Sequence, residues 1–242
     1  MKVKDHYDNH LGNFYSWMAG SFDELLMNNE HFFRESDIRP RANGVAFDLG
    51  CGHGPQSIAL AKAGFAIRAV DFNQQLLDEL SSRAINLSIQ PIKDDIRHFL
   101  AHTTEQAELI VCMGDTLTHL ESLADVGSFI RATSNHLASE GKIVFSFRDL
   151  TKELKDEERF IAVKSDDTKI LTCFLEFFPD HVMTHDLLYE NQNGKWIKSL
   201  SAYPKLRLPV SIVTAYLEEN RIRVKEHKLL EGMTHIIGER MP

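Results

Sequence analysis

The stretch "FDLGCGHGPQSIALAKAGF", Phe47 to Phe65, decides the fold. An apolar run ends in it, an acid and alternate glycines at Gly50, Gly52 and Gly54 follow, and a helical pattern then runs to Gly64. Pro55 suits the first helical position, where a missing N–H costs no hydrogen bond, and Gly64 suits the C-terminal cap. Glycines at a strand-to-helix turn let the backbone bend sharply and approach a ligand, whose polar groups meet the free N–H groups of the helix start. In a parallel sheet this place is the crevice beyond the strands' C-terminal ends. The turn reads as a site for something nucleotide-like.

Outward from that turn, the runs "GVAFDLG", "AIRAVDF", "LSIQPIKDD", "AELIVCMG" and "GKIVFSF" alternate with segments such as "PQSIALAKAG" and "VGSFIRATSNHLASEG". This is the βαβ rhythm of a doubly wound parallel sheet. Gly141, after "SNHLASE", reads as a second helix cap. Beyond Leu150 strand-like runs follow without helices: "KILTCFLEFF", "HVMTHDLLYE" and "WIKSLSAYPKLRL", with turn signals at Pro179-Asp180 and Asn193-Gly194. These predict an antiparallel meander. A helix over "PVSIVTAYLEEN" and an antiparallel pair, "RVKEHKLLE" and "THIIGER", end the chain.

Composition narrows the partners. With 242 residues, 43% hydrophobic and 26% charged, the chain can bury a core, and its net charge of −8 argues against a surface that gathers nucleic-acid phosphates. A small molecule is the expected partner. Cys51, Cys112 and Cys173 lie far apart, so neither a disulfide framework nor a zinc knuckle is suggested. The polar start "MKVKDHYDNH" is unlike a secretory signal and no apolar run approaches membrane-spanning length, so a cytoplasmic location is expected. His6 and His10, like His181 and His185, are four apart, but no third ligand has fitting spacing and no metal is expected.

Two ligand chemistries compete for the turn. A dinucleotide fingerprint needs its third glycine where this chain has Pro55, and no Gly-Lys-Ser/Thr of a phosphate loop follows. The pattern present, D-x-G-x-G-x-G from Asp48, resembles motif I of class I S-adenosylmethionine-dependent methyltransferases. That resemblance covers most of the chain and implies an α/β fold: a doubly wound, mostly parallel, seven-stranded Rossmann-like sheet with a C-terminal antiparallel hairpin and an inserted antiparallel β meander. Residues 1–40 then form an N-terminal helical lid, 41–150 and 206–242 the S-adenosylmethionine-binding core, and 151–205 the insertion.

The resemblance also assigns residues. The cofactor turn involves Asp48, Gly50, Cys51 and Gly52. Asp71 and Phe72 follow the second strand, where a carboxylate accepts from both ribose hydroxyls. Asp95 and Ile96 resemble the adenine site, and Met113 and Gly114, in "LIVCMGDTLTHL", lie over the methyl group. Tyr15 and Trp17, in an aromatic N-terminal segment, are the expected lid contacts.

A narrower likeness concerns the glycine N-methyltransferase group, carried by "GDTLTHL", "SFRDL", the opening of the meander and the pair Tyr203-Pro204. It implies Arg148 as a carboxylate clamp, Tyr203 at the same mouth and His119 near the methyl, orienting a nucleophile or taking its proton. Asp115 departs from the asparagine of that group's small-amino-acid members, and an acid there repels a carboxylate and welcomes a cationic amine. The reading is a small-molecule methyltransferase, with N-methylation favoured. A nicotinamide-dependent oxidoreductase and a non-catalytic S-adenosylmethionine-binding protein stand as alternatives.

Overall fold

The structure, a computed structural model, describes residues 3–241. Its larger sheet has seven strands. Five are parallel: β1 (Val45–Leu49), β2 (Ala66–Asp71), β3 (Ile89–Lys93), β4 (Ala107–Cys112) and β5 (Leu137–Phe147). The hairpin of β10 (Ile222–Leu230) and β11 (Met233–Arg240) adds to β5 in antiparallel sense. The order is β10-β11-β5-β4-β1-β2-β3. The chain thus reverses direction of growth at β1 and β4, and that switch point opens a crevice above their C-terminal ends.

Strand alternation sorts the core into two layers. Phe47, Leu49, Ile110 and Cys112 pack with Phe99, Phe129 and Leu217 of α6 (Ile96–His102), α7 (Leu123–Asn135) and α8 (Val210–Glu219). Ala46, Leu109 and Val111 face the other way. They meet Phe33, Leu60 and Leu77 of α3 (Phe22–Glu35), α4 (Pro55–Lys62) and α5 (Gln74–Arg83). Burial on both faces is why these strands read as unbroken apolar runs.

A second sheet, ordered β6-β7-β8-β9, comprises β6 (Phe160–Ser165), β7 (Lys169–Phe177), β8 (His181–Gln192) and β9 (Lys195–Leu206), all antiparallel. Asn193 and Gly194, at φ 55 and 81, give the β8–β9 hairpin the two left-handed residues of a type I′ turn. The inner face is covered by the N-terminal helices α1 (Val3–Asn9) and α2 (Tyr15–Ala19) and the single turn Leu11–Asn13 between them. There Leu11 and Phe14 pack on Leu171 and Leu188.

Two local expectations change. Gly141 caps no helix: α7 ends at Asn135 and Gly141 lies inside β5, where an added Cβ meets Leu137 Cγ and the Ala138 carbonyl at 2.9 Å each. Its role is close packing. The sequence also hides β6, because a bulge between Ala162 and Lys164 breaks its alternation and Phe160 is 67% exposed.

Candidate active site

A cavity of about 1100 Å³ lies over the C-terminal ends of β1, β2 and β4, roofed by α1 and α2 and bordered by β8 and β9. The glycine turn forms its floor. Gly50, Gly52 and Gly54 all have positive φ (83, 53 and 91), as a turn this sharp requires. Two of them also answer to packing, since a Cβ on Gly50 falls 2.6 Å from Thr116 Oγ1 and one on Gly54 falls 2.2 Å from Leu80 Cδ1. Gly52 is different: its Cβ direction points towards Tyr15 at an ordinary 3.8 Å, across the cavity.

Asp71 ends β2 with both carboxylate oxygens held. Oδ2 accepts from Gly52 N and Oδ1 from Asn73 N, each at 2.9 Å. Burial raises its carboxyl and these N–H groups oppose the shift. Each oxygen keeps a lone pair for a donor in the cavity, which Asp71 and Phe72 both line. Asp48, in contrast, does not line the cavity. Its carboxylate is 1% exposed and accepts from Ser57 Oγ at 2.6 Å, inside α4, and burial pushes its pKa up to about 7 despite that bond. It ties strand to helix.

Beyond β3, Asp95 and Ile96 line the opposite end of the cavity. The Asp95 side chain caps α6 through Arg97 N at 2.8 Å and pairs with the Arg97 guanidinium, at 3.1 and 2.9 Å, which lowers its carboxyl. Cys51, Met113 and Gly114 complete this wall. Gly114, at φ 76, has no heavy atom within 4 Å of its Cβ direction and leaves the floor open after β4.

The other end of the cavity is aromatic. Tyr7 and Tyr15 sit 6.0 Å apart between ring centres, and Tyr7 Oη lies 3.5 Å from His119 Nε2. Burial, reinforced by the Lys205 ammonium, brings His119 down to about 3, so its ring is neutral at physiological pH. Its Nδ1 is buried without a partner. Burial pushes Tyr15 up to about 12 and Tyr7 well above its usual value, so both keep their hydroxyl protons.

Asp115 is where the arrangement departs most from the sequence reading. Its Oδ2 accepts from Lys205 Nζ at 2.7 Å and from Arg148 Nη1 at 2.5 Å, and its Oδ1 accepts from Arg148 N at 3.0 Å. Burial alone raises a carboxyl, but these two cations hold Asp115 well below the ordinary carboxylate range. The free negative charge expected at this point is absent, because one carboxylate faces two cations. Arg148 is spent on Asp115, is 52% exposed and does not line the cavity. Tyr203 is not in the lining either: it is buried and stacks on His6 with ring centres 4.0 Å apart. Trp17 points away from the cavity, its Nε1 donating to Asp166 at 2.5 Å.

Tyr7 and Lys205 are the residues the sequence reading passed over. Lys205 had a signal, since it stands two positions after Tyr203 in a strand and so shares its face. Tyr7 had none beyond its place in an aromatic segment. Among the described residues, no group of three or more His, Cys, Asp or Glu is placed to hold a metal ion, and no helix is long and apolar enough to cross a membrane.

Residues 46–141 match the family model described as a methyltransferase domain. They contain the glycine turn, Asp71, Asp95 and the Met113–His119 segment, on a sheet whose order places the cavity at the switch point. Residues 46–141 are a methyltransferase domain, on a sheet with the fold of S-adenosylmethionine-dependent methyltransferases. The chain is 31% identical over 137 residues to a ubiquinone biosynthesis O-methyltransferase of Actinobacillus pleuropneumoniae, covering 52% of this chain and 56% of that one. It is 24% identical over 156 residues to a glycine/sarcosine N-methyltransferase of Aphanothece halophytica, covering 62% and 58%. In both cases the match spans little more than half the relative's length. Its fold superposes, at a TM-score of 0.73 and 14% identity over 92% of each chain, on an S-adenosylmethionine-bound amino pentose methyltransferase from Micromonospora echinaspora.

Proposed function

We propose that this chain transfers a methyl group from S-adenosylmethionine to a small molecule, with a nitrogen acceptor preferred. The observation that carries the reading is Asp71: a buried carboxylate on the cavity floor, fixed by the turn it faces, with a lone pair left on each oxygen. A ribose diol offers the matching pair of donors. The residues present fit the cofactor. Gly52 and Gly114 leave space beside Asp71, Asp95 and Ile96 border the end suited to the adenine, and Tyr15 closes the opposite side.

When bound, the cofactor supplies an electrophilic methyl on a sulfonium centre. The chain's own work is then alignment and exclusion of water. Tyr7 and Tyr15 roof the site and hold protonated hydroxyls. The amine attacks as its free base, having lost its proton to water before the site closes, and neutral His119, its Nε2 beside Tyr7 Oη, orients the acceptor nitrogen towards the methyl. Arg148 and Lys205, bound to Asp115, act by fixing that wall and leaving it net positive, which suits an acceptor that carries an acidic group as well as its amine. Similarity to an amino pentose methyltransferase and to a glycine/sarcosine N-methyltransferase supports a nitrogen acceptor.

Calorimetric titration with S-adenosylmethionine, S-adenosylhomocysteine and NADH tests the first half. Binding of both sulfur nucleotides without NADH is expected, and NADH binding alone returns the turn to the oxidoreductases. Turnover is then read as S-adenosylhomocysteine released in the presence of small amines, amino sugars and amino acids. Cofactor binding with no release across amine and hydroxyl acceptors favours a non-catalytic binding protein.

A further inference from the structure

The walls at the acceptor end of the cavity bear on which amine it takes, given the methyl-transfer reading above. The end of β9 locates them. Tyr203 lies beside His119, with ring centres 5.7 Å apart, and Lys205 Nζ is bound to Asp115 at 2.7 Å. Pro204 and Leu206, which alternate with those two along the strand, line the cavity at the same end. Met183 pairs with Pro204 across β8 and β9 and lines it too. Met183 and Pro204 are half-buried and Leu206 is buried. A carboxylate meets this wall only at its lip, where Asp180, its side chain 83% exposed, lies 2.8 Å from His181 Nδ1. The small sheet therefore presents an apolar patch to the space beside His119.

We propose that the acceptor is an amine on an apolar body the size of an aromatic ring, seated on Met183, Pro204 and Leu206 with its nitrogen towards His119. Three observations favour this over glycine or an amino sugar. At this end the cations that could clamp a carboxylate are taken: Arg148 and Lys205 are both bound to Asp115, and neither lines the cavity. An acidic group on the acceptor feels their field but finds no two-pronged partner. Next, a sugar ring needs a hydrogen-bond partner for each hydroxyl it buries, and the side chains of Met183, Pro204 and Leu206 offer no N–H, O–H or oxygen. A ring finds there a thioether, the adaptable apolar group that favours contact with aromatic edges. Finally, the cavity of about 1100 Å³ exceeds the roughly 300–1,000 Å³ of an ordinary ligand pocket, so it suits a cofactor together with an acceptor larger than glycine. A glycine-sized acceptor leaves the apolar patch in water, whereas a ring covers it.

Two primary amines, 2-phenylethylamine and glucosamine, test this on the full chain, by calorimetry with and without S-adenosylhomocysteine and by turnover with S-adenosylmethionine. 2-Phenylethylamine is expected to bind and to exceed glucosamine by at least about tenfold in kcat/KM, since a single methylene in an apolar pocket already discriminates by about that much. Met183→Gln keeps the length of the side chain and is expected to remove most of that preference, with S-adenosylhomocysteine affinity and melting temperature close to the wild type. Glucosamine equal to or better than 2-phenylethylamine, in binding or in turnover, overturns the proposal and leaves methyl transfer standing. An unchanged preference in Met183→Gln does the same. Binding of 2-phenylethylamine that Met183→Gln weakens, without turnover of either amine, overturns methyl transfer and upholds the apolar seat. Binding of neither amine, with S-adenosylhomocysteine or without it, overturns the proposal.

Discussion

Lys205 Nζ donates to Asp115 Oδ2 at 2.7 Å, joining a β9 strand of the small sheet to the loop after β4 of the large one. The lysine is 14% exposed and the aspartate 9%, so the pair is shielded and worth more than a surface contact. It also sets the charge state next door, because the Lys205 ammonium is the second cause, after burial, of the lowered His119. Lys205→Met removes that cation and leaves Asp115 with Arg148. The His119 pKa must then rise, and the ring becomes protonated at higher pH. The acid limb of kcat/KM is expected to move upward with S-adenosylhomocysteine affinity nearly unchanged. A limb that stays in place means Lys205 does not govern His119.

Asp71→Asn keeps the size of the side chain and removes its charge. Hydrogen bonds to a charged acceptor contribute about 1.5–3 kcal/mol, so S-adenosylhomocysteine affinity should fall roughly 10- to 100-fold by calorimetry. Asn keeps one acceptor oxygen, so one of the two N–H groups at Gly52 and Asn73 loses its partner and the melting temperature should fall by several degrees, and calorimetry is read well below that transition. An unchanged dissociation constant removes Asp71 from the ribose contact.

The glycines of the turn should separate stability from binding. A Cβ on Gly54 lands 2.2 Å from Leu80 Cδ1, a fully buried side chain, at a backbone φ of 91. Gly54→Ala therefore strains the backbone and overpacks the core, each costing about 1–3 kcal/mol. A fall in melting temperature of several degrees or more is expected. Gly114→Ala meets nothing within 4 Å and costs only its φ of 76, yet it intrudes on the cavity floor. Its signature is weakened cofactor binding with a small stability change.

His119→Gln tests this orienting role, and misplacement of the acceptor nitrogen is expected to cost about 100-fold in kcat. Cofactor affinity should hold, since the ring faces Tyr7 and Tyr203 at the acceptor end. Near-normal turnover means that His119 does not orient the acceptor.

Much of the fold was legible because each signal had a single physical cause. Pro55 begins α4 and Gly64 follows it at φ 103, as a helix start and stop require. The inner strands β1, β2 and β4 are buried on both faces and read as apolar runs, whereas the edge strand β3 is largely exposed. The site was legible where a residue's neighbours in sequence are its neighbours in space, as for Gly50 to Gly52. It was illegible where partners come from distant strands. Nothing in "GDTLTHL" announces that Asp115 is bound to Lys205, 90 positions on. Nor does the text around Asp48 announce that Ser57, one turn into α4, takes its carboxylate.

That last contact gives a pH-dependent prediction. Burial lifts the Asp48 carboxyl from an ordinary 3.8 to about 7, so between these values the folded chain holds a proton that the unfolded chain has lost. The group's contribution to stability is therefore full below about pH 4 and declines as pH rises to 7, by up to about 1.4 kcal/mol per pH unit. Asp48→Asn is neutral throughout and can still accept from Ser57 Oγ. Its melting temperature relative to the wild type should climb between pH 4 and 7 and level off above that. His53 and His119, lowered to about 4 and about 3, act in the opposite sense in both proteins, losing stability as pH falls below 6.5, and cancel in the comparison. A difference that stays flat with pH means the Asp48 carboxylate is ionised in the folded chain at every pH measured, and that its burial is offset by more than the Ser57 hydroxyl.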